Sequence, residues 1–135
     1  MDSDYPYVSG TGTNEDCKYD KSMVKVNITG HEVVVANSVS QLKAAIEKGV
    51  VSVSVEADKP VFLQYESGIL DSVKCGTVLD HAIAAVGYGT DKKSGKDYYI
   101  VRNSFSQWWG DQGYIKIAAV EGKGICGIQM KNSYP

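Results

Sequence analysis

Short apolar runs of strand length constrain this chain most. Residues 50–55 read Val-Val-Ser-Val-Ser-Val, a β-branched run in which Ser52 and Ser54 alternate with valines. That period of two belongs to a strand with one buried face. Residues 82–86 and 98–101 are further apolar runs of the same length, and residues 114–119 read as one more strand. Helical spacing occurs once: Ser38-Val39-Ser40-Gln41 has the form of a capping box, and Leu42, Ala45 and Ile46 follow at helical intervals until Gly49 stops them. Strands that are not separated by helices cannot build βαβ units. The strand runs argue for an all-β or α+β domain, mostly antiparallel β, with one short helix. Residues 90–97, polar and carrying Ser94-Gly95, are expected to join two strands as a long hairpin loop, and residues 1–22 are expected to be loop. There is no internal repeat and no low-complexity tract.

Composition narrows the function classes. A hydrophobic content of 43% in 135 residues is enough for one core, so the chain is expected to be a single domain, 1–135. Fourteen basic against sixteen acidic residues, with no long run of one sign, argue against a nucleic-acid partner or a polybasic membrane contact. No stretch approaches the ~20 apolar residues of a membrane span, and no signal peptide opens the chain, so any secretory signal is expected upstream of Met1. Two histidines and three cysteines fit neither a CxxC nor an HExxH pattern, and Gly10-Thr11-Gly12 precedes no helix or phosphate-binding lysine. No metal and no cofactor is expected. Asn27-Ile28-Thr29 fits the N-glycosylation sequon.

The chemistry-bearing pair is His81, in Leu79-Asp80-His81-Ala82, and Asn103, in Asn103-Ser104-Phe105-Ser106-Gln107-Trp108-Trp109-Gly110. An imidazole, with an ordinary pKa of about 6.5, carries a proton both ways near neutral pH. A neutral amide can hold its ring in one orientation without adding charge. Together they make two-thirds of a nucleophilic triad. His31 has no such companion and reads as a surface strand residue.

These stretches resemble the histidine and asparagine segments of the papain-like cysteine peptidases, of the cathepsin L type. That pattern runs Asp-His-Ala and then Asn-Ser-Trp-Gly-x-x-Trp-Gly-x-x-Gly-Tyr. The chain reads Asp80-His81-Ala82, Asn103-Ser104, Trp109-Gly110 and Gly113-Tyr114. The resemblance extends from Asp4-Tyr5-Pro6-Tyr7, similar to a mid-chain Tyr-Pro-Tyr, to Asn132-Ser133-Tyr134-Pro135. The nucleophile signature Cys-Gly-(Ser/Ala)-Cys-(Trp/Tyr) does not occur in these residues. The resemblance thus implies the histidine- and asparagine-bearing C-terminal half of such a peptidase, with a β-barrel-like fold.

The resemblance also implies roles for other residues. Cys75 and Cys126 are expected to form one disulfide, which would close a loop of about 50 residues and stabilise by about 4 kcal/mol on the chain-entropy account. Cys17 is expected to be left unpaired. Phe105 stands where the family has a tryptophan over the His–Asn bond, so it should shield that bond, while Ser106 replaces a glycine and Trp108 has no counterpart. Trp109 is expected to line the primed side of the cleft. Leu79, Ala82, Ser54 and Lys131 are expected around the second substrate pocket. Asp80 is not expected to hold His81, because adjacent strand residues face opposite ways; its expected part is to tune local charge.

The implied function is peptide-bond hydrolysis through an acyl-thioester on a cysteine supplied elsewhere, with His81 as base and Asn103 orienting it. The chain alone is expected to be inactive. Its expected partners are the Cys-bearing half, a peptide or protein substrate, and a second copy docking on the interdomain face. The expected setting is lysosomal, vacuolar or secreted. The alternative is a non-catalytic binding or interaction protein derived from a truncated peptidase.

Overall fold

The computed structural model describes residues 3–135, so the first two positions of the expected N-terminal loop lie outside the described residues. The chain divides into two compact units, residues 1–30 and 31–135.

None of the described residues of the first unit is buried. Its order comes from local polar contacts. Asp20 caps a 3-10 turn at Lys21–Met23 by accepting the Ser22 N–H at 2.7 Å, and the Tyr5 hydroxyl accepts the Lys18 N–H at 3.0 Å. Cys17 is exposed and forms no disulfide among the described residues.

The second unit is built on a seven-stranded sheet, counted among the described residues. In chain order it comprises β1 (Glu32–Val33), α1 (Val39–Lys48), β2 (Val51–Val55), α2 (Pro60–Leu63), β3 (Ile69–Leu70), β4 (His81–Thr90), β5 (Asp97–Arg102), β6 (Tyr114–Ala118) and β7 (Asn132–Tyr134). The spatial order is β1-β7-β2-β4-β5-β6-β3. Every pairing is antiparallel except β3 with β6. The mostly antiparallel α+β class and the four principal strands are as expected. The expected helix is α1, capped by the Ser38 hydroxyl, which accepts the Gln41 N–H at 3.3 Å. Its Leu42, Ala45 and Ile46 are buried.

The structure adds three strands of two or three residues and the single turn α2, all too short for periodicity to reveal. It also carries β4 past Val86 to Thr90, where a register shift between Ala85 and Gly87 marks a β-bulge. At position 89 a Cβ would lie 3.0 Å from the Tyr98 hydroxyl, close enough that the tyrosine ring would have to give way. The hairpin between β4 and β5 closes over residues 91–96.

Val51, Val53 and Val55 point inward with 0% exposure and meet Ile83, Ala85, Val101, Ile115 and Ile117. The serines of β2 take the opposite face, which is why the Val-Ser alternation was decisive. A disulfide joins Cys75 to Cys126 across 51 residues at a Cα separation of 4.9 Å. It ties the 3-10 turn Val73–Cys75, just upstream of β4, to the turn Ile125–Gly127 near the C-terminus.

Candidate active site

His81 is the first residue of β4 and pairs with Val55, the last residue of β2. The alternation of β4 puts it in the row of Ile83 and Ala85, so the imidazole closes the core-facing row, half-buried. Asn103 stands one residue past β5 and is 8% exposed. Its backbone N–H donates to the Gly113 carbonyl at 2.9 Å, which closes the 103–113 loop on itself.

The two side chains meet. His81 Nε2 lies 2.8 Å from Asn103 Oδ1, and the Ser104 N–H donates to the same Oδ1 at 2.7 Å. The second contact fixes the first: a backbone N–H needs an acceptor, so the atom facing it is the amide oxygen. An amide oxygen only accepts, so Nε2 must donate. In a neutral ring the proton is then on Nε2, and Nδ1 carries the lone pair. Among the described residues no side chain or backbone group bonds Nδ1, and Asn103 Nδ2 is buried without a partner.

Aromatic rings enclose this bond. Phe105 stacks on the imidazole with centroids 4.9 Å apart and planes 27° from parallel. It is 38% exposed, so it forms the outer cover of the bond and reaches solvent itself. Beneath lies Phe62 from α2, fully buried and edge-on to His81 at 6.5 Å. Trp109 packs on Phe62 at 5.2 Å and edge-on to Phe105 at 5.6 Å, and its indole N–H donates to the Leu63 carbonyl at 2.9 Å. Tyr65 completes the cluster, 5.8 Å from Trp109. Trp109 is thus both a half-buried neighbour of the core and a wall near the imidazole, while Trp108 is 88% exposed.

The loop reaches this geometry through left-handed residues: Ser106 (φ 70°), Gly110 (φ 61°), Gln112 (φ 54°) and Gly113 (φ 89°). A side chain at Gly110 would be strained, because its φ is left-handed and a Cβ there would lie 2.5 Å from the Tyr114 carbonyl oxygen. Ser106 bears a side chain where the backbone favours glycine.

The expected pocket residues gather around β2 and β4. Ser54 faces Ala82 directly across the pair, and its N–H donates to the Lys131 carbonyl at 3.2 Å. Ser54 and Lys131 line an open depression of about 310 Å3 with His31, Val33 and Ser52. Leu79 and Ala82 are not part of that lining; Leu79 instead packs on Gly127, where a Cβ would meet its Cδ2 at 2.9 Å. Ala82 and Ser54 point to the sheet face opposite His81. Asp80 has a more definite part than tuning charge: its carboxylate accepts the Ala57 N–H at 2.8 Å, and its own N–H donates to the Val55 carbonyl at 3.0 Å. Among the described residues no group of three potential ligands is arranged for a metal ion.

Phe62, Tyr65 and Glu56 went unnoticed in the sequence. Pro60, at the first position of a helix after Lys59, was the available signal for α2 and hence for Phe62. Nothing local marks Glu56 as buried.

Comparison with known proteins identifies the family and the fold. The family described as papain family cysteine protease matches residues 1–135. The chain is 45% identical over 137 residues to the probable cysteine protease RD21B of Arabidopsis thaliana, covering 99% of this chain and 28% of that protein. It is 44% identical to cysteine proteinase EP-B 1 of Hordeum vulgare, covering 97% of this chain and 36% of that protein. The bromelain protease from Ananas comosus, solved with the E64 inhibitor, superposes with a TM-score of 0.84 at 38% identity, over 99% of this chain and 60% of that one. The proform of the ragweed pollen allergen Amb a 11 gives a TM-score of 0.86 at 31% identity, over 99% of this chain and 36% of that one. The chain therefore spans about a third of the length of these two curated relatives.

Proposed function

The chain belongs to the papain family of cysteine proteases, and from that premise we propose that residues 1–135 are its histidine- and asparagine-bearing domain, supplying the base for peptide-bond hydrolysis. One observation carries the proposal: Asn103 Oδ1, fixed by the Ser104 N–H, holds Nε2 of His81 and leaves the Nδ1 lone pair for a thiol.

Nδ1 takes the proton of a cysteine lying outside these 135 residues. The thiolate adds to the scissile carbonyl, the imidazolium returns its proton to the leaving amine, and an acyl-thioester remains. Water, deprotonated by the same nitrogen, then releases the acid and regenerates the thiol. Asn103 keeps the ring in register through both proton transfers. Phe105 and Trp109 keep water from the His–Asn bond, which strengthens it. Ser54 and Lys131 line the depression proposed to take a substrate side chain, with Ala82 beside it across the strand pair from Ser54, and Leu79 packed on Gly127, and Trp109 borders the far side of the scissile bond. The partners are the Cys-bearing half and a peptide or protein substrate, with self-association through the same face when that half is missing. The disulfide supports folding in an oxidising setting, lysosomal, vacuolar or secreted.

The test is labelling by an epoxide probe of thiol peptidases, read by intact mass. Residues 1–135 alone should stay unlabelled. Mixed with or joined to the Cys-bearing half they should support rapid, saturable labelling of that half, lost in His81→Ala. Rapid labelling of Cys17 in the isolated chain would overturn the reading. Full labelling despite His81→Ala would do so too. Stable capture of partners with no labelling in the complete protein would favour the non-catalytic alternative.

A further inference from the structure

We propose that Glu56 is a positioning residue for His81, acting on both the segment that leads into β4 and the ring that lies beneath the imidazole. The inference rests on His81 being the base.

Glu56 directly follows β2 and is 2% exposed. One carboxylate oxygen accepts the Val78 N–H; the other accepts the Lys59 ammonium at 2.9 Å. Gly76 packs against the group so closely that a Cβ there would lie 2.6 Å from Glu56 Cδ. The neighbouring backbone continues the clasp: the Glu56 N–H donates to the Cys126 carbonyl at 2.8 Å, and Ala57 and Val55 bond Asp80 from either side. Residues 55–57 thus grip residues 78–80, the three that precede His81. Lys59, the other partner, is the N-cap of α2, and α2 carries Phe62 to the underside of the imidazole. One buried carboxylate therefore joins the two structures that set where the ring stands.

A carboxylate this deep is costly unless paired, so its retention needs a reason. The Val78 N–H first, and the Lys59 ammonium second, hold its pKa below the ordinary value against burial and the nearby Asp58. An amide cannot replace it: Glu56→Gln can accept from Val78 only by turning its NH2 toward the Lys59 ammonium, donor to donor. The ring would then shift, and misplacement of a base by about 1 Å is felt in the rate.

The experiment uses the complete protein, Cys-bearing half included, with rates normalised to titrated thiol. Loss of labelling in His81→Ala is checked first, which separates failure of the functional reading from failure of this one. Glu56→Gln should then lower kcat per titrated site by about tenfold with KM within about twofold, and Glu56→Asp should recover part of kcat. A merely structural role would lower the melting temperature and the yield of titratable sites but leave kcat per site unchanged, and that result overturns the proposal. If Glu56→Gln does not fold, Lys59→Met is read instead; an unchanged kcat per site there also overturns it.

A separate observation carries a second inference. We infer that Asn27 is an N-glycan attachment site. Asn27 and Thr29 are exposed in a stretch without regular structure, Ile28 between them is 65% exposed, and among the described residues no hydrogen bond engages the Asn27 amide. The disulfide fits the compartment in which the transferase works. The amide nitrogen would bond the first sugar carbon of a lipid-linked oligosaccharide, losing a proton as the lipid pyrophosphate leaves. Peptide-N-glycosidase in heavy-oxygen water, on the full-length protein secreted from plant cells, should convert Asn27 to labelled aspartate, and Thr29→Ala should abolish this. An unmodified Asn27 peptide, beside a normally glycosylated control from the same cells, overturns it.

Discussion

His81 and Asn103 are held in unlike ways. The histidine arm is fixed by register: His81 pairs with Val55 and is preceded by residues bonded to β2 and its continuation. The asparagine arm is fixed by turn geometry: Asn103 closes its loop through Gly113 and relies on four left-handed residues. A strand pair tolerates a change in one side chain because its backbone bonds remain. A loop built on left-handed backbone depends on which residues occupy a few positions. The asparagine arm is therefore expected to respond most to substitutions that change backbone freedom, and the histidine arm to those that empty the core beneath it.

The sharpest test of unlike roles is activity in the complete protein. His81→Ala should lower kcat/KM by about 10²- to 10⁴-fold, the range for a general base. Asn103→Ala removes an orienting hydrogen bond of about 1 kcal/mol and should cost about tenfold or less. Equal losses, measured at substrate levels well below KM, would break the distinction between reacting and orienting arms.

Stability should separate the arms next. Phe62→Ala takes a fully buried ring from under the imidazole and should cost about 3–5 kcal/mol in denaturant unfolding. In the asparagine arm Gly110→Ala should cost about 1–3 kcal/mol, from the forced left-handed backbone and the collision with the Tyr114 carbonyl. Ser106→Gly goes the other way: relieving a side chain at φ 70° should stabilise by about 1 kcal/mol. If Ser106→Gly destabilised instead, backbone strain would not be what distinguishes this loop.

The same contrast explains what could be read in advance. The sheet was legible because Val51, Val53 and Val55 alternate with serines, and the helix because Ser38 caps Leu42, Ala45 and Ile46. His81 and Asn103 were legible only as a motif; no pattern of burial sets them apart. The rest depended on tertiary contact. Phe62 sits in a one-turn helix too short to show a period, and β1, β3 and β7 are ordered by their neighbours. Glu56 has the sequence context of a surface carboxylate and is buried against Gly76 and Val78, more than twenty residues along the chain from β2. Asp80, read as a diffuse charge, turned out to bond the Ala57 N–H, a contact between segments more than twenty residues apart.

The smallest effect expected is one of pH, and it bears on the histidine arm alone. The Glu56 carboxyl is held below its ordinary value of 4.5, chiefly by the Val78 N–H and then by Lys59. A carboxyl whose pKa is depressed on folding contributes stability that is fully present above its unfolded value and is lost as pH falls through its folded value. Below pH 4.5 the clasp on residues 78–80 should therefore weaken progressively, whereas the Asn103 N–H bond to the Gly113 carbonyl contains no titrating group. Amide hydrogen exchange, corrected for its intrinsic pH dependence, should show protection of Val78 falling in this window while that of Asn103 holds. Glu56→Gln should remove the pH dependence at Val78 by making its protection low throughout. Parallel loss at Val78 and Asn103 would mean that the two arms open as one unit, and that register and turn geometry do not divide the site.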